Sequence, residues 1–331
     1  MTSSTNGAMA PTETSRVRTP KQSSNGAGIP QPRAQPLQIV WRNVVFMTLL
    51  HIGAVYGLVL IPHAHTYTTV WAIFLHYFSG VLGITAGAHR LWTHRSYKAR
   101  LPLRVVMAAA NSVAFQNHIH EWSRDHRCHH KYSETDADPH NASRGFFFSH
   151  CGWLLLRKHP DVKAKGKLID MTDLAADPVV RFQKRYYLAS VLLLCFALPT
   201  AVPILAWQES LRNAFFIAVV SRYVLTLNVT WLVNSAAHLW GNRPYDRSIH
   251  PAENGFVSAM AGGEGWHNYH HTFPFDYATG ELGWRINMTT VFIDAMAWTG
   301  LAYDLRTASP NVVRARALRT GDGTWKGEHA H

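Results

Sequence analysis

Residues 69–94 read TVWAIFLHYFSGVLGITAGAHRLWTH, an apolar stretch over residues 69–88 that ends directly in a pair of histidines. A helix needs about 20 apolar residues to cross a bilayer, so this stretch is long enough to span a membrane. His89 and His94 follow where such a helix would leave the lipid. The segment therefore predicts a helical membrane protein that holds histidines against one membrane surface.

Two further histidine clusters share one spacing, HRCHH at residues 126–130 and HNYHH at residues 267–271. The spacing i, i+3, i+4 keeps three rings near one face of a helix, so we expect each cluster to chelate a metal as a unit. Cys128 points away from that face and is predicted not to be a ligand. His89 and His94 are five residues apart, about 140° around an α-helix, and we expect them to serve different metals.

The number of histidines indicates more than one metal ion. The three clusters supply eight imidazoles, whereas one tetrahedral zinc site needs about four ligands. His238 is a further candidate, because Asn234 lies four residues before it and would face the same point of a helix. With 21 histidines in the chain, one cluster alone could arise by chance. Three clusters of matched form instead predict a metal centre.

Four segments are long and apolar enough to cross a bilayer, at residues 41–61, 69–88, 187–207 and 212–233. The links 62–68 and 208–211 are short and contain no Lys or Arg, whereas residues 89–186 are rich in both. The positive-inside rule then places both termini and the long middle segment in the cytosol. Every histidine cluster falls on that same side.

The predicted fold is all-α, with four transmembrane helices and a helical cytosolic cap that holds the histidine-rich site. Residues 1–36 are rich in Ser, Thr, Pro, Gly and Gln and are predicted to be disordered. The membrane domain covers 37–306, with interfacial helices expected at 101–117 and 284–303. Residues 307–331 are predicted to form a cytosolic tail, solvated by the Lys and Arg of 314–326.

The net charge of +12 is compatible with nucleic acid, anionic lipid or an acidic substrate. No nucleic-acid module is visible, which excludes nucleic acid as an expected partner. Arg124-Asp125 abuts the second histidine cluster, and Arg157-Lys158 follows an aromatic, apolar run. Arginine suits phosphate, so these cations are candidate phosphate ligands beside the metal site. The alternative, ordinary interfacial charge, stays open.

The sequence resembles the membrane acyl-CoA desaturases of animals, the stearoyl-CoA Delta-9 desaturase family. The matching stretches are ITAGAHRLWTH at 84–94, RDHRCHHKYSETDADPH at 124–140, WLVNSAAH at 231–238 and GEGWHNYHH at 263–271. Within the second stretch, SETDADP at residues 133–139 is most similar to the insect members of the family. The resemblance covers about residues 40–306.

That resemblance implies two iron ions bound by nine histidines, with Asn234 contacting the metal through water. The implied ligands are His89, His94, His126, His129, His130, His238, His267, His270 and His271. Acyl-CoA binding is implied for Asn43, Asn117, Arg124, Asp125, Arg157, Lys158 and Trp231. His118 and His120 depart from the usual family pattern and are either extra surface histidines or a perturbation of CoA binding.

The implied reaction inserts a cis double bond, by default Delta-9, into saturated C16–C18 acyl-CoA for unsaturated fatty acid biosynthesis. Dioxygen is the co-substrate, and the electrons come from cytochrome b5 and its NADH-dependent reductase. No haem-binding segment is fused to this chain, so the donor is expected to be a separate protein. The family also implies the endoplasmic reticulum membrane.

An acyl chain must reach the metal through a narrow, dry tunnel. Tyr77, Val81, Thr85 and His89 recur every four residues and are predicted to line its far end. Val81 would then shorten the tunnel and favour sixteen carbons over eighteen. Simple packing between helices is the alternative.

Two other functions stay open. A membrane lipid hydroxylase uses the same histidine-rich di-iron chemistry, and the motifs alone do not separate it from a desaturase. A metal transporter would instead place ionisable ligands at membrane mid-depth along a path, whereas these clusters lie at helix ends.

Overall fold

The second and fourth membrane helices are longer than the apolar runs that predict them, and this extension carries histidines into the site. The computed structural model describes residues 37–281, 283 and 286–327. Its four candidate spans are Trp41–His63, Thr66–Thr93, Tyr187–Trp207 and Leu211–Leu239. The prediction of four spans is confirmed, but the second helix continues past residue 88 and the fourth past residue 233. Both extensions enter the histidine cluster, where packed protein replaces lipid around the helix.

The four spans differ in how much protein surrounds them. In the most apolar window of each, 56% of the second span and 61% of the fourth are buried within the protein, against 17% of the first and 22% of the third. The second and fourth spans are therefore the inner pair. Gly83 allows the Leu101–Ala114 helix to pack closely on the second span, because a Cβ at residue 83 would lie 2.5 Å from the backbone of Ala110.

The inner spans depart from α-helical geometry. The second span is α-helical over Thr66–Tyr77 and π-helical over Phe78–Thr93, and the fourth is π-helical over Ala214–Ser221 before the α-helix Arg222–Asn234. The third span is π-helical over Leu192–Ala197. A π-helix bonds residue i to i+5, so residues five apart lie closer to one face than in an α-helix.

Both predicted hairpins are present, and one carboxylate joins their connections. Glu209 Oε2 accepts hydrogen bonds from His65 N and Thr68 Oγ1, each at 2.8 Å. Its Oε1 accepts from Asn213 Nδ2 at 3.0 Å. This carboxylate fixes the two hairpins to each other at the end opposite the histidines.

The predicted helical cap is confirmed and consists mainly of short helices. Its elements are Leu101–Ala114, Ile119–Tyr132, Ala142–Arg144, Phe148–Gly152, Trp153–Leu155, Pro160–Gly166, Thr172–Ala176, Pro178–Arg185, Gly255–Met260, His267–Thr272, Met288–Trp298 and Pro310–Thr320. One antiparallel pair of two-residue strands, Lys98–Ala99 and Ala302–Tyr303, joins distant parts of the cap. Helices occur in both predicted interfacial segments. Residues 284 and 285 lie outside the described residues.

The predicted solvated tail contains a packed helix. Val313 and Ala317 of Pro310–Thr320 are buried against Tyr245, Tyr269 and Phe273. The two apolar residues are four apart and share one helix face, which the high Arg content of the segment conceals. The predicted disorder of residues 1–36 lies outside the described residues.

Candidate metal centre

Four parts of the chain bring the nine candidate histidines together. His89 lies in the last turns of the second span and His94 just after it, and His238 lies near the end of the fourth span. The Ile119–Tyr132 helix carries the second cluster, and the His267–Thr272 helix carries the third. The structure therefore brings all nine histidines into one region of the protein.

The histidines form two groups, in each of which the candidate ligand atoms all lie within 4.8 Å of one another. The first group is His89, His94, His126, His130 and His270, and the second is His129, His238, His267 and His271. In the first group, Nε2 of His270 is 3.0 Å from Nε2 of both His89 and His130. In the second, Nε2 of His267 is 3.0 Å from that of His238. The arrangement is compatible with a di-iron site.

The prediction that each HxxHH cluster chelates as a unit is wrong. His126 and His130 belong to the first group, and His129 between them belongs to the second. The third cluster divides in the opposite sense, with His267 and His271 in the second group and His270 in the first. Residues i+3 and i+4 are about 100° apart around a helix, so their rings address different centres when a second helix faces them.

The expectation that His89 and His94 serve different metals is also wrong. Both belong to the first group, and their ring centroids are 4.9 Å apart. The backbone N of His94 bonds to the carbonyl of His89 at 3.1 Å, the i+5 bond of a π-helix. The π-helical end of the second span brings together two rings that an α-helix would separate.

Three carboxylates orient histidines from outside the two groups. His129 Nδ1 donates to Asp138 Oδ1 at 2.9 Å, and His238 Nδ1 donates to Glu134 Oε1 at 2.7 Å. His89 Nδ1 lies 2.9 Å from Glu264 Oε2. A carboxylate on Nδ1 keeps the proton there and directs the Nε2 lone pair inward, as in known metal sites. The sequence analysis missed these carboxylates, although each lies within a few residues of a histidine cluster.

A fully buried arginine holds Glu264 in place. Arg90 donates from Nε and Nη2 to Glu264 Oε1, at 3.1 and 2.9 Å, and from Nη1 to Thr290 Oγ1 at 3.0 Å. Burial raises the pKa of Glu264, but His89 and Arg90 outweigh it and lower that pKa to about 2. Glu264 therefore stays ionised at neutral pH.

Most of the candidate metal-binding histidines that lie outside the spans are held in the neutral form. Burial, followed by neighbouring imidazoles, lowers the pKa of His94, His126, His130, His267, His270 and His271 well below the usual value. Burial also lowers the pKa of His129, but Asp138 outweighs it, and the net shift is upward. Neutral imidazoles leave lone pairs free, as metal binding requires.

Cys128 belongs to neither group, as predicted. Its Sγ donates to the carbonyl of Ala137 at 3.3 Å. Burial raises its pKa to about 11, so it is not a thiolate at neutral pH. Thiolate is the form that binds metals.

Two adjacent cavities lie beside the histidines. The wider cavity, about 230 Å³, and the narrower one, about 60 Å³, share Trp122, His126, Thr230 and Asn234 in their walls. His89 and His126 of the first group and His267 of the second line the narrow cavity. Tyr77, Val81 and Thr85 also line it, as the four-residue spacing predicted.

Three of the residues expected to bind acyl-CoA line the wider cavity. They are Asn117, Asp125 and Trp231. Arg124 Nη2 donates to Asp125 Oδ1 at 2.8 Å, and Lys158 donates to the other oxygen of that carboxylate. Burial raises the pKa of Asp125, but Lys158 and Arg124 outweigh it and lower the pKa overall. The carboxylate therefore holds both cations beside the cavity.

Asn43 and Arg157, the remaining residues expected to bind acyl-CoA, do not line the wider cavity. Asn43 donates to the carbonyl of Leu154 at 2.7 Å and so supports the cavity wall from behind. Arg157 is exposed and lines a different, surface pocket with Lys158.

His118 caps the Ile119–Tyr132 helix by accepting from Glu121 N at 3.1 Å, and His120 is half-buried. These two histidines lie outside the cavity walls.

Three residues of the cavity walls, Gln116, Trp122 and His140, were not predicted from the sequence. Gln116 Nε2 donates at 3.0 Å to Oγ1 of Thr230, a residue that lines both cavities. Trp122 stacks on His126 with ring centroids 4.9 Å apart. His140 lines the wider cavity and packs edge-on against Trp153.

Comparison with known proteins gives a consistent result. The fatty acid desaturase family profile matches residues 69–284. The chain is 60% identical over 311 residues to human stearoyl-CoA desaturase 5, covering 93% of this chain and 94% of that protein. It is 63% identical over 294 residues to an acyl-CoA desaturase of Cyprinus carpio, covering 88% and 90%. Against human stearoyl-CoA desaturase the identity is 58% over 297 residues, covering 90% and 82%.

Proposed function

We propose that this chain, which belongs to the fatty acid desaturase family, is an acyl-CoA desaturase that oxidises saturated C16–C18 acyl-CoA to the cis-monounsaturated product. The default position of the double bond is Delta-9, and the product serves unsaturated fatty acid biosynthesis. The observation that carries the proposal is the meeting of both histidine groups at the wall of one narrow, mainly apolar cavity.

The two groups fit two iron ions. Imidazole nitrogen suits iron, and the Nδ1 contacts to Asp138, Glu134 and Glu264 direct nitrogen lone pairs inward. Asn234 lies in the cavity wall, where it would contact a metal through water. Iron would supply the redox chemistry that breaks an unactivated C–H bond, which redox-silent zinc does not provide.

The reaction needs electrons from outside the chain. Removing two hydrogen atoms from the acyl chain yields two electrons and two protons, whereas reducing O2 to two waters takes four of each. Two further electrons and two protons must therefore be supplied. We assign the electrons to cytochrome b5 and its NADH-dependent reductase, and the protons to water.

The cavity residues hold the acyl chain in position. The narrow cavity takes the far part of the chain between the inner spans, and its apolar walls exclude water from the reacting carbons. The wider cavity takes the thioester end, with Asn117 and Trp231 in its wall. Arg124 and Lys158, held by Asp125, face the CoA phosphates. Arg157 adds a cation from the surface pocket that it shares with Lys158, and Asn43 supports the cavity wall through Leu154. Holding one methylene beside the histidines sets the position of the double bond.

Four spans make this a multi-pass membrane protein. We assign it to the endoplasmic reticulum with both termini in the cytosol. An even number of crossings leaves both ends on one side, and the long basic segment between the second and third spans favours the cytosol.

Expression in desaturase-deficient yeast tests the proposal. The intact chain is expected to produce new monounsaturated fatty acids, with the double bond located by derivatisation and mass spectrometry, and His270→Ala is expected to produce none. Hydroxylated acids would favour the hydroxylase. The absence of any new lipid from well-expressed, iron-loaded protein would refute the desaturase assignment and favour the transporter.

A further inference from the structure

A separate cavity reaches the second histidine group without passing through the acyl cavities. It measures about 440 Å³, and its wall includes Asp246, His271, Arg316 and Arg319. All of these residues lie outside the four spans. His271 belongs to the second histidine group, so the cavity ends on a candidate ligand.

The rim of this cavity is positively charged. Arg319 is exposed and has no ion pair among the described residues. Arg247 is also exposed, and its backbone N bonds to the carbonyl of Thr320, next to Arg319. Arg316 pairs with the buried carboxylate of Asp246, which neutralises that one cation. Within the part of the chain that the structure describes, neither Arg247 nor Arg319 has an ion pair, so both can attract an anionic partner.

The proposed reaction needs such a partner on this side. During turnover, acyl-CoA fills the narrow and wide cavities, so an electron donor must approach the histidines from elsewhere. Electron tunnelling slows steeply with distance. The ring of His271 forms part of the wall of the third cavity, which makes this surface a short route to the histidine groups.

We propose that the surface formed by Arg247, Arg316, Arg319 and His271 docks an acidic one-electron carrier protein. The inference rests on the proposed function, since only an oxygen-dependent oxidation requires the two external electrons. Each docking event oxidises the carrier by one electron, and two events complete one double bond. Charge complementarity selects the occupant, because free arginines on the rim attract acidic surfaces and speed their association.

Charge reversal on one helix tests the docking surface. The test compares Arg319→Glu with Arg314→Glu in the full, iron-loaded chain in nanodiscs. Arg314 is exposed on the same helix but does not line the cavity. The probe is the soluble haem domain of cytochrome b5. Its Kd is measured by biolayer interferometry at several salt concentrations, and its KM as electron donor is measured in turnover.

Arg319→Glu is expected to raise both Kd and KM for the haem domain about tenfold at low salt, through lost steering and like-charge repulsion. It should also flatten the salt dependence of Kd. Saturating donor should restore kcat, and the KM for acyl-CoA should stay at the wild-type value. Arg314→Glu is expected to resemble the wild type in all five quantities.

Equal Kd values for Arg319→Glu and Arg314→Glu would overturn the proposal. Binding of inorganic phosphate that Arg319→Glu abolishes, with no change in the Kd of the haem domain, would also overturn it and identify a small-anion site. If the wild type made no double bond with any electron source, the proposed function would fail. The Kd comparison would then still decide the docking surface by itself.

Discussion

The two histidine groups use the same donor atom in different surroundings. The first has five histidines and touches one carboxylate, Glu264, which a fully buried arginine holds. The second has four histidines and two carboxylates, Asp138 and Glu134. Both reach the narrow acyl cavity, but the third cavity ends on His271 of the second group. Similar ligand sets can therefore be made unequal by ligand number and by the groups behind them.

Removing one histidine from each group should show whether iron binding in the two groups depends on the number of histidines. His94→Ala leaves four histidines in the first group, whereas His238→Ala leaves three in the second. Both variants are expected to lose more than about 100-fold in desaturation, beyond the loss typical of an outer partner. His238→Ala should also lose one of two irons, and His94→Ala should keep both.

Iron content by elemental mass spectrometry and product analysis of the same preparations check this. His250→Ala, at an exposed histidine in neither group, is the control. Equal iron loss from His94→Ala and His238→Ala would show that ligand number does not distinguish the groups.

The outer carboxylates should differ in what they stabilise. Asp138→Asn removes the charge behind His129 and is expected to weaken iron binding about 10- to 100-fold. Glu264→Gln should weaken iron binding similarly and also leave Arg90 buried without its anion. Breaking a buried ion pair costs about 3–5 kcal/mol, so this variant should have the lower Tm.

Chelator competition measures iron affinity, and differential scanning fluorimetry measures Tm. A Glu264→Gln protein as thermally stable as Asp138→Asn would mean that the remaining contacts of Arg90 suffice.

The narrow cavity should decide chain length at the end away from the histidines. Val81 lies in its wall, so Val81→Ala extends the space and is expected to raise the ratio of C18 to C16 products by about tenfold at most. Val70→Ala is the matched control, because Val70 is on the same span with an exposed side chain. Gas chromatography of the products gives the ratio. A ratio equal to that of the wild type would reduce Val81 to a packing residue.

Two glutamates near the third histidine cluster should have opposite effects on stability as pH changes. Burial raises the pKa of Glu253 to about 8, whereas the pKa of Glu264 is lowered to about 2. Native Glu253 therefore binds more protons than the unfolded chain between about pH 4.5 and 8, and its contribution falls as pH rises through that window. The contribution of Glu264 is complete above about pH 5 and is lost as pH falls toward 2.

Glu253→Gln should accordingly reduce the fall in Tm between about pH 5 and pH 8 by a few degrees. Scanning fluorimetry across that range measures it. Asp136→Asn, at an exposed carboxylate, serves as the control. An unchanged pH profile for Glu253→Gln would mean that Glu253 does not contribute to the pH dependence.

The spans and the identity of the clustered histidines could be predicted because their signals are local. An apolar run of sufficient length must leave water, and a histidine that directly follows it stays near the membrane surface. The packed helix Pro310–Thr320 was not predicted, because the buried pair Val313 and Ala317 is short and lies among arginines. Gln116 carried no signal either, since an isolated glutamine has no pattern until Thr230 lies opposite it.

The sequence by itself determined four membrane crossings, a helical cap and nine histidines on one side, because length, apolarity and helical spacing act within short segments. Only the tertiary structure decided which histidines share a group, since that depends on the His267–Thr272 helix facing the Ile119–Tyr132 helix and on the π-helical end of the second span. It also placed Glu264, Asp138 and Glu134 behind the rings. Contacts between distant segments follow from packing, and spacing along the chain does not encode them.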